Sequence, residues 1–152
     1  MEVTWSIYLS GEIHSDWREE ISQEIISQHL AINILSPVTN HSASDNCGVH
    51  ILGKEKNTFW KDHKGAKLNL IRTKTLIETA DIVVVKFGEK YRQWNAAFDA
   101  GYAVALGTPL ITLHDASLTH ALKEIDGAAH AVAETPKQIV DILSYVIEGK
   151  LS

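Results

Sequence analysis

Two periods of apolar and polar positions take turns along this chain. Residues 3–9 (VTWSIYL) are β-branched and aromatic and run into Ser10-Gly11, the pattern of a buried strand entering a loop. Trp17, Ile21, Ile25 and Ile26 then recur at helical spacing. They predict a helix that starts from an N-cap at Ser15 or Asp16, has Glu19 in the capping-box position and reaches about Leu30. Residues 32–35 read as a second strand, stopped by Ser36-Pro37. Residues 39–64 are long, polar and without clear period, which predicts a loop that is functional or holds small irregular elements. Helical spacing returns over 66–79 through Leu68, Ile71, Leu76 and Ile77.

Residues 81–87 (DIVVVKF) form a continuous apolar run, as expected of a strand buried on both faces of a parallel sheet. A loop over 88–93 leads to an alanine-rich helix over 95–106, with Gly107 as its stop. Residues 109–113 read as a fourth strand, 117–125 as a short helix and 129–133 as a weak fifth strand. The last helix opens at Thr135-Pro136, with Gln138 in the capping-box position. Short apolar strands alternating with helices predict an α/β fold, a three-layer sandwich around a mostly parallel sheet of about five strands. All 152 residues fit one domain. Sheets of this kind bind ligands beyond the carboxyl ends of their strands. That rule selects residues 10–16, 87–99 and 114–117.

Composition narrows the class. At 45% apolar and 22% charged, the chain is that of an ordinary globular domain. A single cysteine, Cys47, leaves no internal disulfide framework. The start of the chain lacks a basic region followed by a long apolar run, and no stretch is long enough to span a bilayer. A cytoplasmic protein without a membrane partner is therefore expected. The net charge of −5 argues against a nucleic-acid polymer as partner. Residues 54–92 nevertheless carry ten Lys/Arg against five Asp/Glu. That segment either faces a small anion or is a solvated basic stretch.

Few residues stand out as chemistry. Gly11 allows close backbone approach before a helix N-terminus, which favours an anion. No G-x-G-x-x-G is present, so this is not a dinucleotide fingerprint. His14, in the same loop, either meets a phosphate or is solvated. Asp99 sits about one turn into its helix among small and apolar residues, as a nucleophile, a general base, or a first-turn acid complementing the helix dipole. Asp81 opens a strand at the end away from the expected site and reads as structural, and Arg72 defaults to the surface. Trp94 and Trp60 are candidates for stacking on a base, with core capping as the alternative. Cys47, His41, His50 and His63 lack CxxC or HExxH spacing, so neither a metal nor another cofactor is expected.

Two segments together resemble the nucleoside 2-deoxyribosyltransferase superfamily. Tyr8-Leu9-Ser10-Gly11 is similar to its opening Y-L-A-G motif. Residues 80–85 (ADIVVV), followed by 99–109 (DAGYAVALGTP), resemble its A-D-x-V-V-A and E-x-G-Y-A-x-A-L-G-K-P pattern. More closely, the whole chain resembles the YtoQ family, chiefly over residues 7–17 and 72–109. The resemblance implies a flavodoxin-like sheet in the order 2-1-3-4-5, a homo-oligomer and chemistry at the N-glycosidic bond of nucleosides or nucleotides. It places Asp99 on the nucleophile position, with Tyr8 orienting it. Gly11, Glu12 and His14 fall on the position where nucleotide-hydrolysing relatives bind a 5′-phosphate, and Ser10, Lys86, Trp94 and Asn95 would help hold substrate, with Lys90 and Arg92 nearby. The chain departs from the pattern in carrying aspartate for glutamate, Arg72-Thr73 where an acid precedes the third strand, and Gln93-Trp94-Asn95 before the helix. These departures leave two functional expectations. One is an N-glycosidic-bond enzyme, hydrolase rather than transferase. The other is a non-catalytic module that binds a nucleotide or another anionic metabolite.

Overall fold

The computed structural model describes residues 3–151. Five strands form one sheet in the order β2-β1-β3-β4-β5, with every neighbouring pair parallel. They are β1 (Trp5–Gly11), β2 (Ile32–Leu35), β3 (Ile82–Lys86), β4 (Leu110–Leu113) and β5 (Ala131–Ala133). Parallel neighbours need crossovers, and helices supply them: α1 (Trp17–Ser27), α2 (His41–Leu52), α3 (Thr58–Thr79), α4 (Trp94–Leu106), α5 (Lys123–Ala128) and α6 (Pro136–Glu148). The expected fold and strand order are what the structure has.

Side-chain alternation along the strands sorts the core into two layers. Ile7, Leu9, Ile82, Val84, Ile111 and Leu113 pack against Trp17, Ile21 and Ile25 of α1 and Ile139, Val140 and Leu143 of α6. Tyr8, Val83, Val85 and Leu110 face the other way, onto Ile77 of α3 and Ala96, Ala100 and Ala103 of α4. The alanines let α4 lie close to the sheet, which brings polar residues of that helix near the end of β1. Thr135 and Gln138 form the anticipated capping box of α6, and Gly107 ends α4 in a left-handed conformation at φ 77°. Asp16 is the N-cap of α1, but its side chain makes no capping bond.

The polar stretch 39–64 is where the sequence misleads. It is helical over most of its length: α2 is capped by the Asn40 side chain, and α3 begins at Thr58, capped by Asn57. No apolar period marks these helices because neither packs a stripe of large side chains on the sheet there. They pack on each other through small residues instead. A Cβ on Gly48 would lie 2.6 Å from the Gly65 backbone nitrogen. Cys47 packs at the same crossing, its thiol donating to the Ser44 and Gly65 carbonyls at 3.4 and 3.7 Å. Most of the excess positive charge of residues 54–92 lies on the exposed length of α3, and only Lys86 and Lys90 line the cleft over the strand ends. Among the described residues no helix is long and apolar enough to cross a membrane.

This crossing gives a paired test. Gly48→Ala drives a methyl into backbone and is expected to cost about 1–3 kcal/mol. Gly101→Ala, inside α4 with nothing within 4 Å of the added carbon, is expected to stabilise by about 0.5–1 kcal/mol. Urea melts of both variants check the two signs.

Candidate active site at the carboxyl end of the sheet

The sheet reverses its strand order between β1 and β3, and the site is built where those two strands end. Their register pairs Ser10 with Val85 and Gly11 with Lys86. Gly11 holds φ at +107°, and a Cβ there would lie 2.1 Å from the Lys86 carbonyl oxygen. Only glycine allows this approach.

Beyond Gly11 the chain must turn into α1, which leaves several backbone carbonyls without strand or helix partners. Arg18 gathers them. Its guanidinium donates to the carbonyls of Leu9 at 3.0 and 3.2 Å, Gly11 at 3.3 Å and Glu12 at 2.7 Å. The Trp17 indole N–H adds a second donor to the Glu12 carbonyl at 2.7 Å. Burial pulls the Arg18 pKa down to about 10, so it stays cationic at neutral pH. Glu12 is itself buried, and its carboxylate turns back into the loop. It accepts from the backbone N–H of His14 through Oε1 and from the Ser15 hydroxyl through Oε2.

Two residues before Glu12, on the face toward α4, the Ser10 hydroxyl donates to Asp99 Oδ2 at 2.6 Å. Asp99 is the sixth residue of α4 and so lies past the first turn, where a dipole-complementing acid would sit. Burial pushes its pKa up, and the Ser10 hydrogen bond opposes that by favouring the charged form. Tyr8 projects from β1 on the same face as Ser10 and is fully buried. Its hydroxyl has no hydrogen-bond partner among the described residues. Desolvation first, and the charge of Asp99 second, push its pKa well above the ordinary tyrosine value.

A cleft of about 350 Å³ opens over the strand ends. Glu12, His14 and Ser15 form one wall, and Lys86–Tyr91 with Gln93 form another. Asp115 closes a third side. The three segments selected by the strand-end rule therefore meet in one place. The size lies at the small end of ligand pockets, enough for a molecule of nucleoside dimensions. The His14 ring packs against Tyr91, with centroids 4.8 Å apart.

The other candidates fall in different surroundings. Ser10 and Asp99 are not part of the cleft wall. Trp94 and Asn95 are exposed at the start of α4 and do not line it either; Trp94 is 74% exposed, with the Arg92 guanidinium 5.9 Å from its ring. Trp60 lies on α3 beside Phe59 and His63. Arg72 donates to the Ser36 carbonyl at 3.2 Å. His41 pairs with Asp45 within α2.

Several residues in and around the site escaped sequence reasoning. Gln93 Oε1 accepts from the Gly88 N–H at 2.9 Å and so fixes the loop over 88–93. His114 is buried at the end of β4, with Nε2 2.7 Å from Asp126 and Nδ1 2.7 Å from the Asp115 carbonyl. Thr112 donates to the other oxygen of Asp126 at 2.8 Å. Arg18 gave no signal because a charged residue in a first helical turn reads as solvent-facing. An apolar β4 followed by His114-Asp115 was the only hint of the second network.

Fold and site together define a doubly wound α/β domain with a partly buried carboxylate beside its switch point. Residues 8–147 match the family described as Nucleoside 2-deoxyribosyltransferase YtoQ. The protein YtoQ of Bacillus subtilis strain 168, described as uncharacterized, is 47% identical over 142 residues, covering 93% of this chain and 96% of the relative. The chain belongs to the YtoQ family. Among solved structures, the 2-deoxyribosyltransferase of Bacillus psychrosaccharolyticus superposes with a TM-score of 0.55 at 20% identity, covering 90% of each chain. A conserved protein from Enterococcus faecalis V583 superposes with a TM-score of 0.63 at 14% identity, over 91% of this chain and 96% of its own. At these identities the superpositions establish the fold.

The raised pKa of Asp99 has a consequence for stability. A carboxyl whose pKa is raised on folding contributes stability below its unfolded pKa, and that contribution is lost as pH rises through the folded value. At neutral pH the partly buried charge is therefore a cost. Asp99→Asn is expected to raise the melting temperature at neutral pH, and its advantage over wild type should shrink toward acid pH. Thermal melts of both proteins across that range check it.

Proposed function

We propose that the protein acts on the N-glycosidic bond of a nucleoside or related ribosyl compound, with Asp99 as nucleophile or general base. The observation that carries this reading is the partly buried Asp99 carboxylate, held by Ser10 at the end of β1. It stands in a chain whose family takes its name from nucleoside 2-deoxyribosyl transfer. A desolvated carboxylate with few hydrogen bonds is a stronger nucleophile than a solvated one. In the covalent form of the reaction, an Asp99 oxygen bonds to the anomeric carbon as the carbon–nitrogen bond breaks. The bonding pair leaves with the base, which takes a proton from water. A second water then cleaves the glycosyl ester, releasing the sugar and regenerating the carboxylate. Hydrolysis is favoured over transfer because Thr73 stands where the resembled pattern has an acid to serve the exchanging base.

A second reading is favoured by one specific observation: Asp99 does not form part of the cleft wall. A binding module would use the same cleft without breaking a bond. The open side of the site bears on this. Trp94 and Phe98 of α4 are 74% and 59% exposed, and both precede Asp99 along the helix. Aromatic exposure on that scale suits a protein interface. We assign it to a second copy of the chain, which would complete the wall near Asp99.

The deciding experiment is base release from a panel of ribo- and deoxyribonucleosides and their 5′-monophosphates, with wild type and Asp99→Asn side by side. Release by wild type, reduced by about a thousandfold or more in the variant, is the expected result. Turnover retained in Asp99→Asn removes that residue from the mechanism. Ligand-induced thermal shifts without any product would support the binding module. Light scattering at micromolar concentration tests the self-association, and a monomer there would refute it.

A further inference from the structure

The loop after β1 offers donors to an anion, and one of its own side chains takes them. These donors belong to His14 and Ser15, ahead of the Asp16 N-cap of α1. The Glu12 carboxylate already takes the His14 N–H and the Ser15 hydroxyl. It is held there by packing as well as by hydrogen bonds. Glu12 is 8% exposed, and a Cβ on Gly88 would lie 2.8 Å from its Cγ, so a larger residue at position 88 would collide with it. Its backbone is fixed on both sides: the N–H donates to the Lys86 carbonyl at 3.1 Å, and the carbonyl accepts from Arg18 and Trp17.

The charges around the loop agree. The opening of α1 carries Asp16 at its N-cap and Glu19 and Glu20 in its first turn. The cleft wall includes three carboxylates, Glu12, Glu89 and Asp115, against two lysines, Lys86 and Lys90. No ion pair within 4 Å neutralises Glu12 among the described residues, since Arg18 spends its N–H groups on backbone carbonyls. A second anion would meet a carboxylate that has no direct ion pair of its own. A hydroxyl would not, because each carboxylate oxygen has lone-pair capacity beyond the single bond it accepts from the loop.

We infer that Glu12 is a specificity residue, an internal anion that excludes phosphorylated sugars and accepts a hydrogen bond from a free sugar hydroxyl. The substrate class is then the nucleoside and not the nucleotide. This rests on the proposed action on ribosyl compounds for its choice of ligand, but it concerns binding and does not need turnover.

The test is calorimetric binding of adenosine, 2′-deoxyadenosine and thymidine, with their 5′-monophosphates, to full-length wild type and to Glu12→Gln. The amide keeps the shape, an oxygen for the His14 N–H and a donor for the Ser15 oxygen, while removing the charge. Wild type is expected to bind at least one nucleoside about tenfold or more tighter than its monophosphate, and Glu12→Gln to close or reverse that gap. A salt series on wild type alone gives a second reading if the variant folds poorly. Repulsion is screened by salt, so the gap should narrow as ionic strength rises; attraction would make it widen. A wild-type preference for the monophosphate, an unchanged ratio in Glu12→Gln, or no binding by any of the compounds overturns the inference. If discrimination appears and responds to Glu12 while no base is ever released, the inference stands and the glycosidic reading fails.

Discussion

The carbonyls at the end of β1 are the constraint on which the site depends. A central parallel strand must stop, turn and enter a helix within six residues, and the buried oxygens it strands on the way need donors. The Leu9 and Glu12 carbonyls are buried there, and a guanidinium serves them from the first turn of α1. Arg18 donates to Leu9, Gly11 and Glu12 together, a task for which its planar fork of five N–H groups is suited and a lysine is not. That fixes the path of residues 9–12. It thereby fixes where the Ser10 hydroxyl points and where the Glu12 carboxylate comes to rest. Gly11 is the other half of the same constraint, because only a residue without a Cβ can pass the Lys86 carbonyl.

What could be read from the sequence follows from the same physics. Strands buried on both faces announce themselves as apolar runs, and β1, β3 and β4 were legible for that reason. Helices that lay one apolar stripe on the sheet were legible too: α1, the C-terminal half of α3, and α6. The pair α2 and the first half of α3 was not, because their contact uses Gly48, Gly65 and Cys47, and small residues leave no hydrophobic period. Loop chemistry was legible only as location. The strand-end rule selected three segments that do meet around one cleft, but it said nothing of which side chains turn inward. Trp94 looked like a stacking residue and points to solvent. Glu12 fell on the substrate-binding loop of the resembled pattern, and which way its carboxylate turned could not be read from the sequence.

The two acids at the end of β1 show how burial divides their roles. Glu12 is surrounded by loop donors, and its negative charge is matched by hydrogen bonds. Asp99 has one side-chain donor, and burial raises its pKa. A carboxylate that is poorly solvated by protein and by water costs stability, and such costs persist where an activity uses them. That contrast supports a binding role for Glu12 and a chemical one for Asp99. It is also why the same loop can carry both without their functions colliding.

Ser10 and Asp99 are best understood as one change and not two. In the motif that the start of the chain resembles, a small apolar residue occupies the position of Ser10, and a glutamate the position of Asp99. Shortening the acid by one methylene withdraws its oxygens toward α4, and attack on an anomeric carbon tolerates little misplacement. Adding a hydroxyl on β1 gives the withdrawn carboxylate a fixed partner at 2.6 Å. The alanines at 96, 100 and 103 allow α4 to sit near enough to the sheet for that bond to form. A lone shortening would leave the acid partly buried with no side-chain donor, the costlier arrangement. The hydrogen bond therefore couples the two positions, so their substitutions should not act additively. Any chemistry at Asp99 is then a property of the pair, set by where Arg18 and Gly11 hold the end of β1.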